Sequence, residues 1–80
     1  MAPDPTELEV RSMLALLLGL ALEDVAATAS RPSLEAWDSL RHLQLVLALE
    51  EKFRIRFGDA ELAALDSVPR LVDAIRRKGP

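Results

Sequence analysis

Two Asp-Ser pairs hold the side chains best suited to chemistry in this 80-residue chain. Asp38-Ser39 precedes the apolar segment LRHLQLVLALEEKF, and Asp66-Ser67 precedes the segment VPRLVDAI. Aspartate and serine cap the start of a helix, because their side-chain oxygens accept hydrogen bonds from free backbone N–H groups. A serine at such a junction also exposes its hydroxyl to the active site of another protein. Each serine is therefore a candidate either for a helix cap or for covalent modification.

The other residue types leave little room for further chemistry. The chain has no cysteine, which excludes disulfides and thiolate–metal sites, and its one histidine, His42, does not by itself make a zinc site. The sequence shows no nucleophile–base pair, no carboxylate partner for His42 and no glycine-rich phosphate loop. We therefore expect a protein that is not an enzyme and that binds no metal ion.

Charge and hydropathy argue against two further classes of partner. The formal net charge is −3, and the basic residues at 54, 56 and 76–78 form at most a local patch rather than the stripe that a phosphate backbone requires. The longest apolar run, MLALLLGLAL, is about half of the ~20 residues that cross a bilayer. The acidic start MAPDPTELE is unlike a signal peptide. We expect a cytoplasmic protein with no nucleic-acid partner and no membrane span.

The spacing of apolar residues predicts helices throughout. Thr6 is the expected N-cap of the first helix, and Gly19 is placed to end that helix in a left-handed turn. FRIRF alternates like a strand but has no second strand to pair with, so we expect an extended linker. The predicted bounds are a flexible amino terminus over 1–5, helix 1 over about 6–18, a loop over 19–38, helix 2 over about 39–52, a short helix 3 over about 59–65 and helix 4 over about 67–77. The fold class is therefore all-α: one domain over residues 1–80, a small four-helix bundle of three main helices and one short helix, with a long loop between helices 1 and 2.

Helix 2 carries more apolar surface than a single contact needs. Its apolar side chains lie on two flanks: Leu45, Val46, Leu49 and Phe53 on one, and Leu40, Leu43 and Leu47 on the other. Together they cover more than about 200 degrees of the helix, whereas a surface helix needs a stripe of about 100 degrees. Either helix 2 is a central helix buried on two sides, which the periodicity alone slightly favours, or the second flank is exposed and meets a partner.

The segment WDSLRHLQLVLALEEKF resembles the attachment segment of acyl carrier proteins, in which Asp-Ser-Leu opens the second helix of a four-helix bundle. The segments LLLGL and LEDV, FRIRFGDAEL and DSVPRLVDAI are similar to the family's segments in the same order, so the likeness covers roughly 6–77. The resemblance implies that a phosphopantetheinyl transferase moves 4′-phosphopantetheine from coenzyme A onto Ser39, and that the thiol of this arm holds an acyl group as a thioester. Ser67 corresponds to the start of the closing helix, where no arm is attached, and Pro69 in the first turn marks it as a cap.

The resemblance also assigns roles around Ser39. Asp38 helps the transferase to position the serine, and capping shared with Ser39 is its structural alternative. Leu40, Leu43 and Leu47 match positions that face partner proteins or the acyl group, and core packing is their alternative. Trp37 stands where the family commonly has a small residue. It either packs over the bundle or flanks the arm, and the roles of Trp37 and His42 stay open at this point.

Two positions depart from fatty-acid carriers, which present acids along helix 2. Arg41 and Gln44 stand at such positions, so we expect a partner interface of Asp38, Leu40, Arg41, Leu43, Gln44 and Leu47 that serves different enzymes.

The expected function is an acyl carrier that moves a thioester-bound acyl group between acyl-loading and acyl-accepting enzymes of a specialised pathway, such as polyketide or other secondary-metabolite biosynthesis. Two alternatives stay open. One is an aminoacyl or peptidyl carrier, which WDSL disfavours weakly because it lacks a glycine-rich lead-in. The other is an unmodified helical docking domain that binds partners through Leu40, Leu43 and Leu47.

Overall fold

The computed structural model describes residues 5–78, which form four α-helices and two 3₁₀ turns. The α-helices are α1 (Pro5–Leu18), α2 (Ser39–Phe53), α3 (Asp59–Leu62) and α4 (Val68–Lys78), and the 3₁₀ turns are Leu22–Asp24 and Arg31–Ser33. Within these residues the extended backbone pairs only once, in an isolated antiparallel bridge between Ser30 and Ser67. The expected all-α fold of three main helices and one short helix is confirmed. None of the four helices is long and apolar enough to cross a membrane.

Two helix ends differ from those predicted from the sequence: the start of α1 and the end of α3. Among the described residues α1 spans Pro5–Leu18, so Thr6 lies inside the helix and the N-cap expected at Thr6 is wrong. The flexible segment expected over 1–5 lies outside the described residues, apart from Pro5. The short helix α3 ends at Leu62, three residues before its expected end at 65.

Left-handed residues end the first two long helices. Gly19, with φ of 70°, ends α1 as predicted. Arg54 closes α2 with φ of 56°, and its backbone N–H and that of Ile55 both donate to the Glu50 carbonyl. The Glu50 carboxylate then accepts a hydrogen bond of 2.8 Å from Phe57 N. The linker expected over FRIRF is therefore held against the end of α2 by the side chain of Glu50.

The hydrophobic core lies where α1 packs against α2 and α4. Burial of each large apolar side chain contributes about 1.5–3 kcal/mol, so a few such residues from each helix hold the bundle together. The fully buried large side chains are Val10, Leu14, Val25, Leu45, Leu49, Val68 and Leu71.

The loop between α1 and α2 is tied to the bundle at two places. Near its start, Arg11 Nε of α1 donates a hydrogen bond of 2.7 Å to the carbonyl of Val25, whose side chain is buried in the core. Further along, Val68 N at the start of α4 donates to the Ala29 carbonyl at 2.8 Å. These two hydrogen bonds therefore fix the position of the loop on α1 and α4 before it enters α2.

Candidate functional site

Ser39 is the first residue of α2, and its side chain is exposed. The helix is capped by the residue before it: Asp38 Oδ1 accepts a hydrogen bond of 2.9 Å from Arg41 N, and the Asp38 carbonyl accepts one from His42 N. Ser39 Oγ takes no part in this cap. It accepts one hydrogen bond, of 3.3 Å, from the Arg31 guanidinium. Of the structural alternative given for Asp38, its own capping role is confirmed and the share assigned to Ser39 is wrong, because Asp38 alone provides the side-chain cap.

Ser67 occupies the other position in its Asp-Ser pair. It directly precedes α4, and its Oγ accepts a hydrogen bond of 3.3 Å from Arg70 N. Its carbonyl accepts from Leu71 N at 3.0 Å. The prediction that Ser67 is a helix cap is confirmed. The two pairs therefore differ by one residue in register. The aspartate caps α2 and leaves Ser39 Oγ without a bond to the helix backbone, whereas the serine caps α4.

Next to Ser39, the carboxylate of Asp38 and the guanidinium of Arg41 form an ion pair. The hydrogen bond from the Arg41 N–H lowers the pKa of Asp38 below its usual value, and the Arg41 guanidinium beside the same carboxylate lowers it further. That guanidinium lies 3.1 Å from Asp38 Oδ2. The positive charge of Arg41 is therefore paired within the first turn of α2, two residues from Ser39.

The second apolar flank of α2 faces away from the core. Leu40, Leu43 and Leu47 keep 61%, 50% and 55% of their surface exposed, while Leu45 and Leu49 are completely buried. A central helix buried on two sides is therefore wrong, and so is core packing for these three leucines. The physical reason is that the flank with Leu45 and Leu49 supplies the core contacts of α2, which leaves the other flank in solvent.

The two acids of α2, Glu50 and Glu51, differ in their exposure. Glu50 is partly buried, and its carboxylate is engaged by Phe57 N, whereas Glu51 is exposed. Gln44 is exposed beside the leucine flank and carries no charge. The exposed surface of α2 around the three leucines is therefore mainly apolar, with little negative charge.

Trp37 and His42 form a buried connection that the sequence analysis did not find. Trp37 is 2% exposed, which confirms that it packs over the bundle, and its Nε1–H donates a hydrogen bond of 3.1 Å to His42 Nδ1. His42 Nε2 lies 3.1 Å from the Leu62 carbonyl oxygen. Because an indole N–H only donates and a carbonyl oxygen only accepts, these two contacts fit the imidazole tautomer with its proton on Nε2. Both nitrogens are engaged, so His42 is a structural link between the loop, α2 and α3.

Comparison with known families adds the decisive observation. Residues 9–75 match the family described as the phosphopantetheine attachment site. The chain belongs to this carrier family. It is also similar to an acyl carrier protein of Buchnera aphidicola subsp. Schizaphis graminum, with 28% identity over 72 residues that cover 90% of this chain and 91% of the relative. A member of this family is a carrier and not an enzyme, and the group that it carries is covalently attached 4′-phosphopantetheine. The carrier therefore meets a transferase and biosynthetic enzymes.

The residues at the start of α2 fit such a group in this carrier. Ser39 provides an exposed hydroxyl, and Arg31 provides a cationic donor next to it. The start of a helix favours a negatively charged phosphodiester electrostatically, because the helix dipole has its positive end there. The chain has no cysteine, so the thiol of the arm would be the only thiol of the carrier.

The Asp38 cap makes the stability of the folded carrier depend on pH. Because the pKa of Asp38 is lower in the folded chain, its contribution is present above the unfolded value and is lost as the pH falls through the folded value. We expect Asp38→Asn to lower the Tm at neutral pH and to differ less from the wild type at about pH 2. Thermal unfolding at both pH values measures this. A Tm difference that stays constant with pH would contradict the assignment of the cap to the ionised carboxylate.

Proposed function

We propose that Ser39 is the attachment serine of this carrier and that the loaded arm shuttles a thioester-bound acyl group between biosynthetic enzymes. The observation that supports this is the register of the Asp-Ser pair. Asp38 satisfies the cap, so Ser39 Oγ is exposed and available for modification at the start of α2. The alternative serine, Ser67, uses its Oγ to cap α4. Ser39 also lies within residues 9–75, the part of the chain that matches the family.

The attachment reaction needs only the Ser39 hydroxyl from this chain. Ser39 Oγ forms a bond to the phosphorus of the coenzyme A pyrophosphate that bears the pantetheine arm. The P–O bond of the pyrophosphate breaks, and adenosine 3′,5′-bisphosphate leaves with the electron pair. The hydroxyl proton passes to a base of the transferase. Once attached, the arm supplies the thiol that forms the acyl thioester. Asp38, beside the serine, is available to orient it in the transferase.

We place the partner interface on the exposed surface of α2 next to Ser39. Leu40, Leu43 and Leu47 provide an apolar strip, and such a strip next to a modification site suits a partner that buries it. Polar residues border the strip. The proposed interface consists of Asp38, Leu40, Arg41, Leu43, Gln44 and Leu47.

The charge pattern of α2 supports enzymes of a specialised acyl pathway, such as polyketide biosynthesis, as the partners. Glu50 is engaged by the linker, and Arg41 pairs with Asp38, so Glu51 is the exposed acid that remains on α2. A partner that selects carriers through a strongly basic patch would therefore find few exposed carboxylates on α2 with which to form ion pairs. Complementary charge sets partner choice and association rate more than affinity.

The proposed function is tested by loading the purified wild-type protein. We expect incubation with coenzyme A, magnesium and a broad-specificity phosphopantetheinyl transferase to add one phosphopantetheine group, detected by intact mass spectrometry. Fragmentation should place the added mass on Ser39. If transferases of several specificities add nothing to the folded protein, the carrier function proposed for this serine is wrong.

The proposed interface predicts a loss of loading when charge is placed on it. We expect Leu43→Asp to lower kcat/KM for the transferase about tenfold or more, because a buried apolar contact would become a desolvated carboxylate. Leu16→Asp is the matched control, since Leu16 is an 81% exposed leucine on α1. Both variants should keep the wild-type Tm. Equal kcat/KM for the two variants would contradict an interface on α2.

A further inference from the structure

Arg31 is held rigidly next to Ser39 by its own backbone. Its N–H donates a hydrogen bond of 2.9 Å to the Asp66 carbonyl at the start of α4, within the bridge between Ser30 and Ser67. The turn that contains it is closed by Ser33 Oγ, which accepts from Ser30 N at 2.9 Å. The position of the Arg31 backbone is therefore fixed relative to the bundle.

The side chain of Arg31 is also directed at the serine. Its Nε donates to the carbonyl of the buried Trp37 at 3.4 Å, and its Nη2 donates to Ser39 Oγ at 3.3 Å. Two donors of one planar guanidinium are thus aimed at the two residues on either side of Asp38. These two hydrogen bonds already hold the guanidinium beside Ser39, so part of its ordering precedes any ligand.

Arg31 differs from the neighbouring Arg41 in its charge balance. The Arg41 guanidinium is paired with the Asp38 carboxylate, 3.1 Å away. No ion pair joins Arg31 to a carboxylate anywhere in residues 5–78. Its guanidinium donates to a neutral hydroxyl and a neutral carbonyl oxygen. The start of α2 therefore has an uncompensated positive charge in contact with the oxygen that is to be modified.

We propose that Arg31 binds the phosphodiester that joins Ser39 to its arm and holds the base of the arm on the loop side of α2. This rests on the proposed function, because the phosphodiester exists only in the loaded carrier. When Ser39 Oγ becomes an ester oxygen, the two charged oxygens lie on the phosphorus bonded to it. A guanidinium already in contact with Oγ reaches them by side-chain rotation alone. Arg–phosphate hydrogen bonds are stronger than the bond to a neutral hydroxyl that they replace.

The experiment compares the gain in Tm on loading among four proteins. Wild type, Arg31→Gln, Arg31→Lys and Arg70→Gln are each unfolded thermally before and after loading, and intact mass confirms complete modification. Arg70→Gln is the matched control: it removes the same charge from a guanidinium at a helix start that bonds Ala64 and Asp66 but not Ser39. Comparing each variant with its own unloaded form removes any effect of the substitution on the fold itself.

We expect loading to raise the Tm less in Arg31→Gln than in the wild type, by about 4 °C for a domain of this size. Arg31→Lys should fall between the two, because it keeps the charge and loses the planar fork. Arg70→Gln should show the wild-type gain. The difference between wild type and Arg31→Gln should shrink at high salt, which screens exposed charges.

A second measurement follows Arg31 in the wild-type protein and needs no variant. The NMR resonance of its Nε–H should shift on loading, because the acceptor near the guanidinium changes from a hydroxyl to a phosphate. An unshifted resonance, or the same gain in Tm for wild type and Arg31→Gln, would overturn the role of Arg31 while leaving the carrier function intact. Absence of added mass in the wild type would overturn the proposed function and this role together.

Discussion

Replacing Ser39 with alanine is expected to abolish phosphopantetheine uptake completely and to leave the Tm close to that of the wild type. The exposed Ser39 Oγ makes one hydrogen bond, to Arg31, and no bond to the backbone of α2. The cap at Asp38 is unaffected by the substitution, because Arg41 N remains bonded to its carboxylate. Intact mass after exhaustive loading and thermal unfolding of the same sample measure the two effects.

Ser67→Ala is expected to give the opposite pattern in the same experiment: normal loading and a lower stability. It should load to the wild-type extent, because its hydroxyl is the cap of α4 and not an attachment site. It should also lose about 1 kcal/mol of unfolding free energy, the usual cost of removing a serine cap. Loading of Ser39→Ala, or loss of loading in Ser67→Ala, would contradict the assignment of the two serines.

The Ser39→Ala variant also separates the carrier from an unmodified docking domain. Both functions use the exposed leucines of α2, so exposure alone does not distinguish them. A docking domain without an arm would keep its cellular function in Ser39→Ala, since the variant retains the fold and the surface. A carrier would lose all acyl transfer. Restoring function with the alanine variant would therefore favour docking, whatever the wild type does in the loading assay.

Local rules predicted most of the fold of this carrier. The helical spacing of apolar residues identified the helices, and Gly19 ended α1 because a left-handed residue suits that position. Pro69 lies in the first turn of α4, and its position two residues after Ser67 correctly indicated that this serine is a cap. These features depend on residues a few positions apart, which is the range over which sequence patterns are informative.

The features that were not predicted depend on register and on distant neighbours. Aspartate and serine cap helices almost equally well, so the sequence alone did not decide which residue of Asp38-Ser39 provides the side-chain cap. The exposure of the flank with Leu43 depends on which side of α2 the other helices pack against, and periodicity does not reveal this. The contacts of Arg31 and His42 reach other side chains and backbone carbonyls across loops, and no spacing rule encodes these.

The largest loss of stability from a polar substitution is expected at His42. His42→Phe keeps an aromatic ring at this position, but Trp37 Nε1–H loses its acceptor and the Leu62 carbonyl keeps only the hydrogen bond from Leu65 N. A buried polar group without a partner costs about 1–3 kcal/mol, so the orphaned indole N–H should lower the unfolding free energy by about 2 kcal/mol. For a domain of this size that corresponds to a decrease in Tm of about 10 °C or more. Denaturant unfolding followed by the fluorescence of Trp37, the single tryptophan, measures the loss.

The control for His42→Phe is Gln44→Phe, which places the same ring on an exposed position of α2. We expect it to stay within about 0.5 kcal/mol of the wild type, the usual range for surface substitutions. His42→Gln should recover part of the loss, because an amide side chain can both accept from an indole N–H and donate to a carbonyl. If His42→Phe is as stable as Gln44→Phe, the imidazole contributes only volume, and the loop before Ser39 is held by Arg11, Arg31 and the buried Trp37 ring without the Trp37–His42 hydrogen bond.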